Sequence, residues 1–315
     1  MPETVLDAFR NNDPPIPFIG SGFGREAAPP LMTGGELCKE LRCQLGVPDE
    51  SEHLEVLLQY LKNDHVGSDR VVHDWLEHHL GHNGVAKRPD PGGAHHLLLQ
   101  LPIREALTTN YDSLFSQAAK LHPHLALLEV YTPADYQSAV RCLAPSTIVS
   151  GRLHGSFENR EQIVATSDDY IRNFFRQEWR DLIAGFVKDR KLLFIGYSLR
   201  DFTSWTSYVT ALIEGRRSAW PHTMVSPAQS RHERAYWKEY GIQFVPLTAG
   251  QFLIGLHEAL GTLESGDNAI FAAAVCLKTS VGDAKVKLEQ YRKEWRYKEL
   301  RQAALRCVQE FGQNE

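Results

Sequence analysis

The chain has 315 residues, of which 43% are hydrophobic and 23% charged, a composition that is typical of a globular protein with a sizeable buried core. Its 34 basic and 39 acidic residues give a net charge of −5, which argues against a dominant surface for nucleic acid or anionic membrane. No apolar run approaches the roughly 20 residues that a membrane span requires, and the first residues resemble no signal peptide, so we expect a cytoplasmic protein.

Seven short apolar runs end in polar or glycine-rich turns, which is typical of buried parallel strands. We predict strands at residues 15–20, 105–110, 126–132, 146–155, 191–198, 222–226 and 242–247. Amphipathic segments of helix length separate most of these runs. Strands that alternate with helices indicate an α/β fold with a Rossmann-like, doubly wound and mostly parallel sheet.

Two regions break this alternation. Residues 34–101 contain several helical patterns and no convincing strand, which predicts a helical insertion between the first two strands. Residues 282–312 predict a C-terminal helix with an apolar stripe, which either packs on its own domain or forms a surface for a partner or a second copy. We therefore predict one domain over residues 1–265 and a helical tail over residues 266–315.

Neither the cysteines nor the histidines predict a metal site. The chain has five cysteines and no CxxC pair, which indicates reduced structural thiols instead of a zinc ribbon or a disulfide framework. The segment HDWLEHH places His73, Glu77 and His78 close together on a helix. The sequence supplies no further ligand there, so we predict no metal.

Four turns that follow predicted strands can carry chemistry, because doubly wound sheets bind ligands at the carboxyl ends of their strands. The first is GSGFGR, residues 20–25, whose backbone N–H groups can face a pyrophosphate while Arg25 adds a charge-assisted contact. The alternative is a tight turn that holds no ligand.

The second turn is TTNYD, in which an amide and a carboxylate two residues apart can reach one cleft. Asp112 can instead form only an Asx-turn or cap the next helix. The third is RLHGSF, in which His154 offers an imidazole beside the open backbone of Gly155. The fourth is FIGYSLRD, in which Gly196 and Ser198 can contact a phosphate or a ribose, or can form a plain turn.

In their order and placement these four motifs resemble the sirtuin-like superfamily, over about residues 16–250. The resemblance implies a pocket for NAD and no metal. The segment IVATSDDYIRNF after the His-Gly is similar to the bacterial, defence-associated branch. The zinc ribbon of the sirtuin deacylases is missing, which argues against protein deacylation. The resemblance therefore implies an NAD glycohydrolase that yields nicotinamide and ADP-ribose, acts as an antiphage effector, and is controlled by oligomerisation or a regulatory partner.

The resemblance also implies roles for individual residues. Asn110 positions the ribose or a water molecule, His154 holds a ribose hydroxyl or acts as the base, and Asp112 stabilises the developing positive charge. The residues expected to bind the dinucleotide are Gly20, Ser21, Gly22, Arg25, Thr109, Gly155, Gly196 and Ser198. A non-catalytic sensor of NAD or ADP-ribose and an ADP-ribosyltransferase are alternative interpretations, and a filament protein rests on the tail alone.

Overall fold

The computed structural model describes residues 2–48, 53–80, 89–175, 178–197, 221–227, 230–265 and 267–293. Its centre is a sheet of seven parallel strands. The strands are β1 (Ile16–Ile19), β2 (Glu105–Thr108), β3 (Ala126–Val130), β4 (Thr147–Arg152), β5 (Leu192–Ile195), β6 (His222–Val225) and β7 (Ile242–Val245). All seven predicted strands are confirmed, although each prediction ran on past the end of its strand, and those for β1, β4 and β5 also started one residue early.

Helices surround the sheet. Those described are α1 (Glu3–Arg10), α2 (Gly34–Leu45), α3 (Leu54–Asp64), α4 (Asp69–His79), α5 (Gly93–Leu99), α6 (Leu114–Lys120), α7 (Pro133–Arg141), α8 (Ser167–Phe175), α9 (Glu178–Asp189), α10 (Arg231–Glu239), α11 (Ala249–Ala259), α12 (Asn268–Leu277) and α13 (Val281–Lys293). No helix in the described ranges is long and apolar enough to cross a bilayer.

The order of the strands is β3-β4-β2-β1-β5-β6-β7. The chain runs from β1 to β2 on one side of the sheet, completes β3 and β4 there, and then returns to place β5 on the other side of β1. The strand order therefore reverses beside β1, where open α/β sheets hold their ligands. The predicted Rossmann-like, doubly wound sheet is confirmed.

The central strands β1, β2 and β5 are buried along their whole length because apolar helices cover both faces of the sheet. One face packs against α1, α5, α6, α11 and α12, with Phe252 and Phe271 in its core. The other face packs against α7, α9 and α10, with Tyr136 and Trp237 in its core. This double cover explains why the strands read as continuous apolar runs in the sequence.

The helices α2, α3 and α4 form a layer with a core of its own. Leu41, Leu57 and Leu76 pack there against Phe157 and Ile163, which follow β4 in the chain. The insertion thus packs against the segment that comes after the His-Gly turn. By contrast, α5 lies inside the main core and contacts the sheet layer.

The start of α12 packs closely on α5. A Cβ atom added to Gly93 would lie 1.9 Å from the carbonyl oxygen of Phe271, and the ring of His96 stacks on Phe271 at 4.6 Å between centroids. The described part of the predicted tail helix is α13. The side chains from residue 288 onward, and with them the predicted apolar stripe, lie outside the described part of the chain. The division between residues 265 and 266 stays a prediction.

Candidate active site

Four predicted turns lie side by side at one edge of the sheet. They follow β4, β2, β1 and β5, which are neighbours in the strand order. Hydrogen bonds join the strand ends in pairs: the N–H of Leu153 donates to the carbonyl of Thr108, and the N–H of Thr109 donates to the carbonyl of Ile19. Ser198 lies outside the described residues, so the fourth turn is described only as far as Tyr197.

The glycines of the first turn are approached by the protein's own backbone. The turn forms a short 3₁₀ helix, Ser21–Glu26, in which the N–H of Gly22 donates to the carbonyl of Gly196 at 2.8 Å. A Cβ atom on Gly20 would lie 2.6 Å from the same carbonyl oxygen. Gly196 has a φ of +61°, and a Cβ there would lie 2.2 Å from the nitrogen of Phe23. Only glycine fits these positions, and a binding role for them stays a prediction.

Ser21 and Arg25 of the same turn are both exposed. The hydroxyl oxygen of Ser21 accepts a hydrogen bond from the N–H of Gly34 at the start of α2, which leaves the hydroxyl proton able to donate. Arg25 forms an ion pair with Glu36 at 2.7 Å. Glu36 also closes the capping box of α2 with Thr33, so the guanidinium is held beside the start of that helix.

The second turn presents Asn110. Its backbone N–H donates to the side-chain oxygen of Thr108, whose own hydroxyl donates to the carbonyl of Ile19. The backbone of Asn110 is thereby tied to the ends of both β2 and β1. Its side-chain oxygen Oδ1 is buried and accepts no hydrogen bond from any described residue. A buried amide oxygen without a donor is unfavourable, and a bound ligand or water can supply one.

Asp112 forms the Asx-turn that the sequence offered as one alternative. Its Oδ1 accepts a hydrogen bond from the N–H of Leu114 at 3.1 Å, two residues further along the chain. Burial raises the pKa of the Asp112 carboxyl above its ordinary value, while the charge of Arg152 opposes this shift. The turn uses one carboxylate oxygen, and a catalytic role for Asp112 stays a prediction.

The third turn contains His154, which lies beyond the end of β4 and is buried. Its Nδ1 lies 3.5 Å from the hydroxyl of Tyr170 on α8, and the two rings meet edge to face at 5.3 Å between centroids. Gly155 follows with a φ of +74°, and a Cβ there would lie 2.3 Å from the carbonyl oxygen of Gln162. The glycine of the His-Gly pair is therefore required by the fold itself.

Arg152 is the first residue of the RLHGSF motif, and the sequence assigned it no role. Its side chain is 2% exposed and forms an ion pair with Glu129 of β3. Its Nη1 donates to two backbone carbonyls of the second turn, those of Asn110 at 3.0 Å and Asp112 at 2.7 Å. The signal available was an arginine at the end of a buried strand, two residues before a His-Gly.

The helix that carries His73 and Glu77 holds an ion pair. The carboxylate of Glu77 is buried and pairs with the guanidinium of Arg160 at 2.6 Å. Within the described ranges, the structure contains no group of three or more histidine, cysteine, aspartate or glutamate side chains placed to hold a metal ion.

The doubly wound sheet carries the glycine-rich, Asn-x-Asp and His-Gly turns on one edge. A family profile described as "SIR2-like domain" matches residues 104–245, which include the second and third turns. Residues 104–245 thus match the sirtuin-like family that the motifs predicted.

Three curated proteins named "NAD(+) hydrolase ThsA" are similar to this chain. Those from Acinetobacter baumannii (strain 532279) and Enterococcus faecium are 26% identical over 185 and 191 residues, and that from Bacillus cereus (strain MSX-D12) is 24% identical over 190 residues. Each alignment covers 58% of this chain and 36% or 37% of the relative. The chain thus spans little more than a third of the length of these relatives.

One solved structure, described as "Structural Basis for the Mechanism and Regulation of Sir2 Enzymes", covers 84% of this chain and 100% of its own. It is 12% identical, with a TM-score of 0.43.

Proposed function

We propose that the protein hydrolyses NAD to nicotinamide and ADP-ribose. The observation that carries the proposal is the buried Oδ1 of Asn110, which lacks a donor among the described residues and lies in a turn bonded to the ends of β1 and β4. A ribose hydroxyl or a water molecule is a donor of the required kind. The curated relatives named as NAD(+) hydrolases support the same conclusion.

The chemistry suits a site of this kind. Water attacks C1′ of the ribose while the bond from C1′ to the nicotinamide nitrogen breaks, and its electron pair neutralises the pyridinium. The leaving group needs no proton, so the site has to orient the ribose, exclude other water and place the attacking one. One proton leaves the attacking water and passes to a base or to solvent.

In this proposal Asn110 positions the ribose or the water through Oδ1. His154 holds a ribose hydroxyl or takes the proton from the water, and its buried ring lies against Tyr170. Asp112 stabilises the positive charge that develops on the ribose. The pyrophosphate contacts the Ser21 hydroxyl and Arg25, both of which are exposed beside the glycine-rich turn.

We further propose that the protein is an antiphage effector whose activity depends on oligomerisation or a partner. An enzyme that destroys NAD without control would harm its own cell, so some form of gating is expected. Light scattering should show a smaller particle when the chain is cut before Gly282, if the tail drives assembly. An unchanged particle size would instead favour a tail that only packs on its own domain.

The test is incubation of the purified full chain with NAD over a range of protein concentrations, followed by identification of the products. We expect nicotinamide and free ADP-ribose in equal amounts. His154→Ala and Asn110→Ala should abolish the reaction, whereas His232→Ala on α10 and Asn63→Ala on α3, both exposed, should not. Asn110→Ala should also leave the melting temperature unchanged or higher, since it removes an unpaired buried oxygen.

Other results would reject the proposal in distinct ways. Tight NAD binding without turnover at any concentration would identify a sensor, and labelled ADP-ribose attached to protein would identify a transferase. Full activity of both site variants would place the reaction elsewhere in the molecule.

A further inference from the structure

The side chain of Arg152 binds the segment that carries Asn110, in addition to the backbone bonds that β4 makes as a strand. The side chain leaves β4 with its Nε directed to Glu129 Oε1 at 2.7 Å and its Nη2 bonded to the same oxygen. The other nitrogen, Nη1, donates to the carbonyls of Asn110 and Asp112. These carbonyls stand two residues apart, on either side of Tyr111.

A buried guanidinium adds little to the stability of a fold. Desolvation of the charge offsets much of what its ion pair returns, and an apolar residue of similar volume is often as stable at such a position. Two other residues of β4, Ile148 and Val149, are apolar and buried in this way. The planar fork of arginine, however, can bind a carboxylate on one side and backbone carbonyls on the other, which neither lysine nor an apolar residue can reproduce.

The same strand end also leads to His154, two residues after Arg152 in the chain. Leu153, between them, donates its N–H to the carbonyl of Thr108 at 2.9 Å. The second and third turns are therefore joined by a backbone bond and by the Arg152 side chain. A shift of the arginine would move the turn of Asn110 relative to the turn of His154.

We infer that Arg152, held by Glu129, is a positioning residue that fixes the backbone of Asn110 and Asp112 against the His154 turn. The expected effect on kcat rests on the proposed NAD hydrolysis. The expected effect on the backbone of residues 109–114 does not. Arg152 contacts neither the substrate nor the reacting atoms. It acts through the orientation of Asn110.

The test compares Arg152→Lys with the unaltered protein by kinetics and by hydrogen exchange. We expect kcat to fall about 30-fold with KM changed less than about threefold, because a displaced catalytic group costs on the order of 100-fold in rate. Amides of residues 109–114 should exchange faster, while those of β6 and β7 should not. Glu129→Gln keeps the shape of the carboxylate and should give the same changes more weakly. It replaces Arg152→Lys in the test if the lysine variant does not fold.

The matched control is Arg190→Lys. Arg190 donates to Glu105 at 2.9 Å at the opposite, amino end of the same sheet, so it is a second arginine paired with a glutamate of this sheet. This variant should lose stability without loss of kcat and without faster exchange at residues 109–114. A fall in kcat that simply followed the melting temperature across all three variants would overturn the inference.

Failure of the inference and failure of the proposed function are distinguishable. If the unaltered protein hydrolyses NAD and both Arg152→Lys and Glu129→Gln retain its kcat, the positioning role is wrong and the function stands. If the unaltered protein hydrolyses no NAD, the exchange of residues 109–114 alone decides the positioning role. Unchanged exchange in both variants would then reject it.

Discussion

At the scale of single residues, the turn that Asp112 forms can be separated from its proposed stabilisation of positive charge. Its Oδ1 accepts the N–H of Leu114, and an asparagine oxygen can accept the same bond. We expect Asp112→Asn to keep the melting temperature within about 2 °C of the unaltered protein while kcat falls at least about tenfold, since the charge is lost and the turn is kept. Calorimetry and steady-state kinetics measure the two effects.

Asp112→Ala provides the comparison, because it removes the turn as well as the charge. It should lower stability by about 1 kcal/mol, as the loss of such a side-chain cap does. Full kcat in the Asp112→Asn variant would contradict the proposed role of the charge. The turn would then be the only role of the carboxylate.

The fit between Gly196 and the first turn gives a second residue-scale prediction. Gly196→Ala adds a Cβ 2.2 Å from the nitrogen of Phe23 at a positive φ, so we expect it to destabilise the protein by at least about 3 kcal/mol or to prevent folding. Gly185→Ala is the control: Gly185 lies in α9, where a Cβ meets nothing within 4 Å. That change should stabilise by up to about 1 kcal/mol, measured by urea unfolding. Equal effects at the two positions would contradict the close approach.

At the scale of elements, α5 makes stability depend on pH. Burial lowers the pKa of His95 to about 3, with a contribution from neighbouring His96. Burial also lowers the pKa of His96 to about 4, with a contribution from His122, whose Nε2 lies 2.9 Å from His96 Nδ1. The folded state therefore keeps both α5 histidines neutral where the unfolded chain protonates them.

We expect the free energy of unfolding to fall as the pH drops from about 6.5 towards 4. Each histidine that stays neutral contributes a slope of up to about 1.4 kcal/mol per pH unit, because only the unfolded state binds the proton. Urea unfolding at a series of pH values measures this. His96→Phe should reduce the slope, whereas replacing the exposed His232 should not. A stability that is flat from pH 6.5 to 4.5 would contradict the burial of these rings.

The strands and helices were the features that the sequence predicted best. The central strands were predictable because helices cover both faces of the sheet, so that β1 and β5 are apolar throughout. The ends were less predictable: the predicted strands included Thr109 and His154, which lie past the last residues of β2 and β4. The role of α5 was missed, since nothing in AHHLLLQL shows that His96 stacks on Phe271, 175 residues further along the chain.

The site could be predicted in part for a similar reason. Motifs point to side chains, and His154, Asn110 and Asp112 do lie in turns that the sheet brings to one edge. In the second turn Arg152 binds backbone carbonyls, which leave no trace in the identity of residues 110 and 112. The contact between Gly20 and Gly196 likewise depends on β1 and β5 being neighbours, and strand order cannot be read from local patterns.

At the scale of the whole molecule, the described core extends past the predicted end of the domain. Phe271 is 5% exposed and belongs to the same core as Phe252, so α12 helps to cover the sheet. We expect a chain that ends at Ser265 to lose its cooperative thermal transition, because the apolar face of α5 becomes exposed. A chain that ends at Ser280 keeps α12 and should retain the transition. Cooperative melting of the shorter chain would support the boundary at residue 265.

The contact between Gly22 and Gly196 also bears on how the protein is made. A ribosome releases the chain from its amino end, so β1 and its turn emerge long before β5. Until Gly196 has emerged, the N–H of Gly22 has no carbonyl to bond, and Tyr197 is absent from its place 4.7 Å from the ring of Phe18. A nascent chain therefore cannot complete this edge of the sheet. If the finished protein hydrolyses NAD at this edge, as proposed, a nascent chain lacks part of that site until Gly196 has emerged.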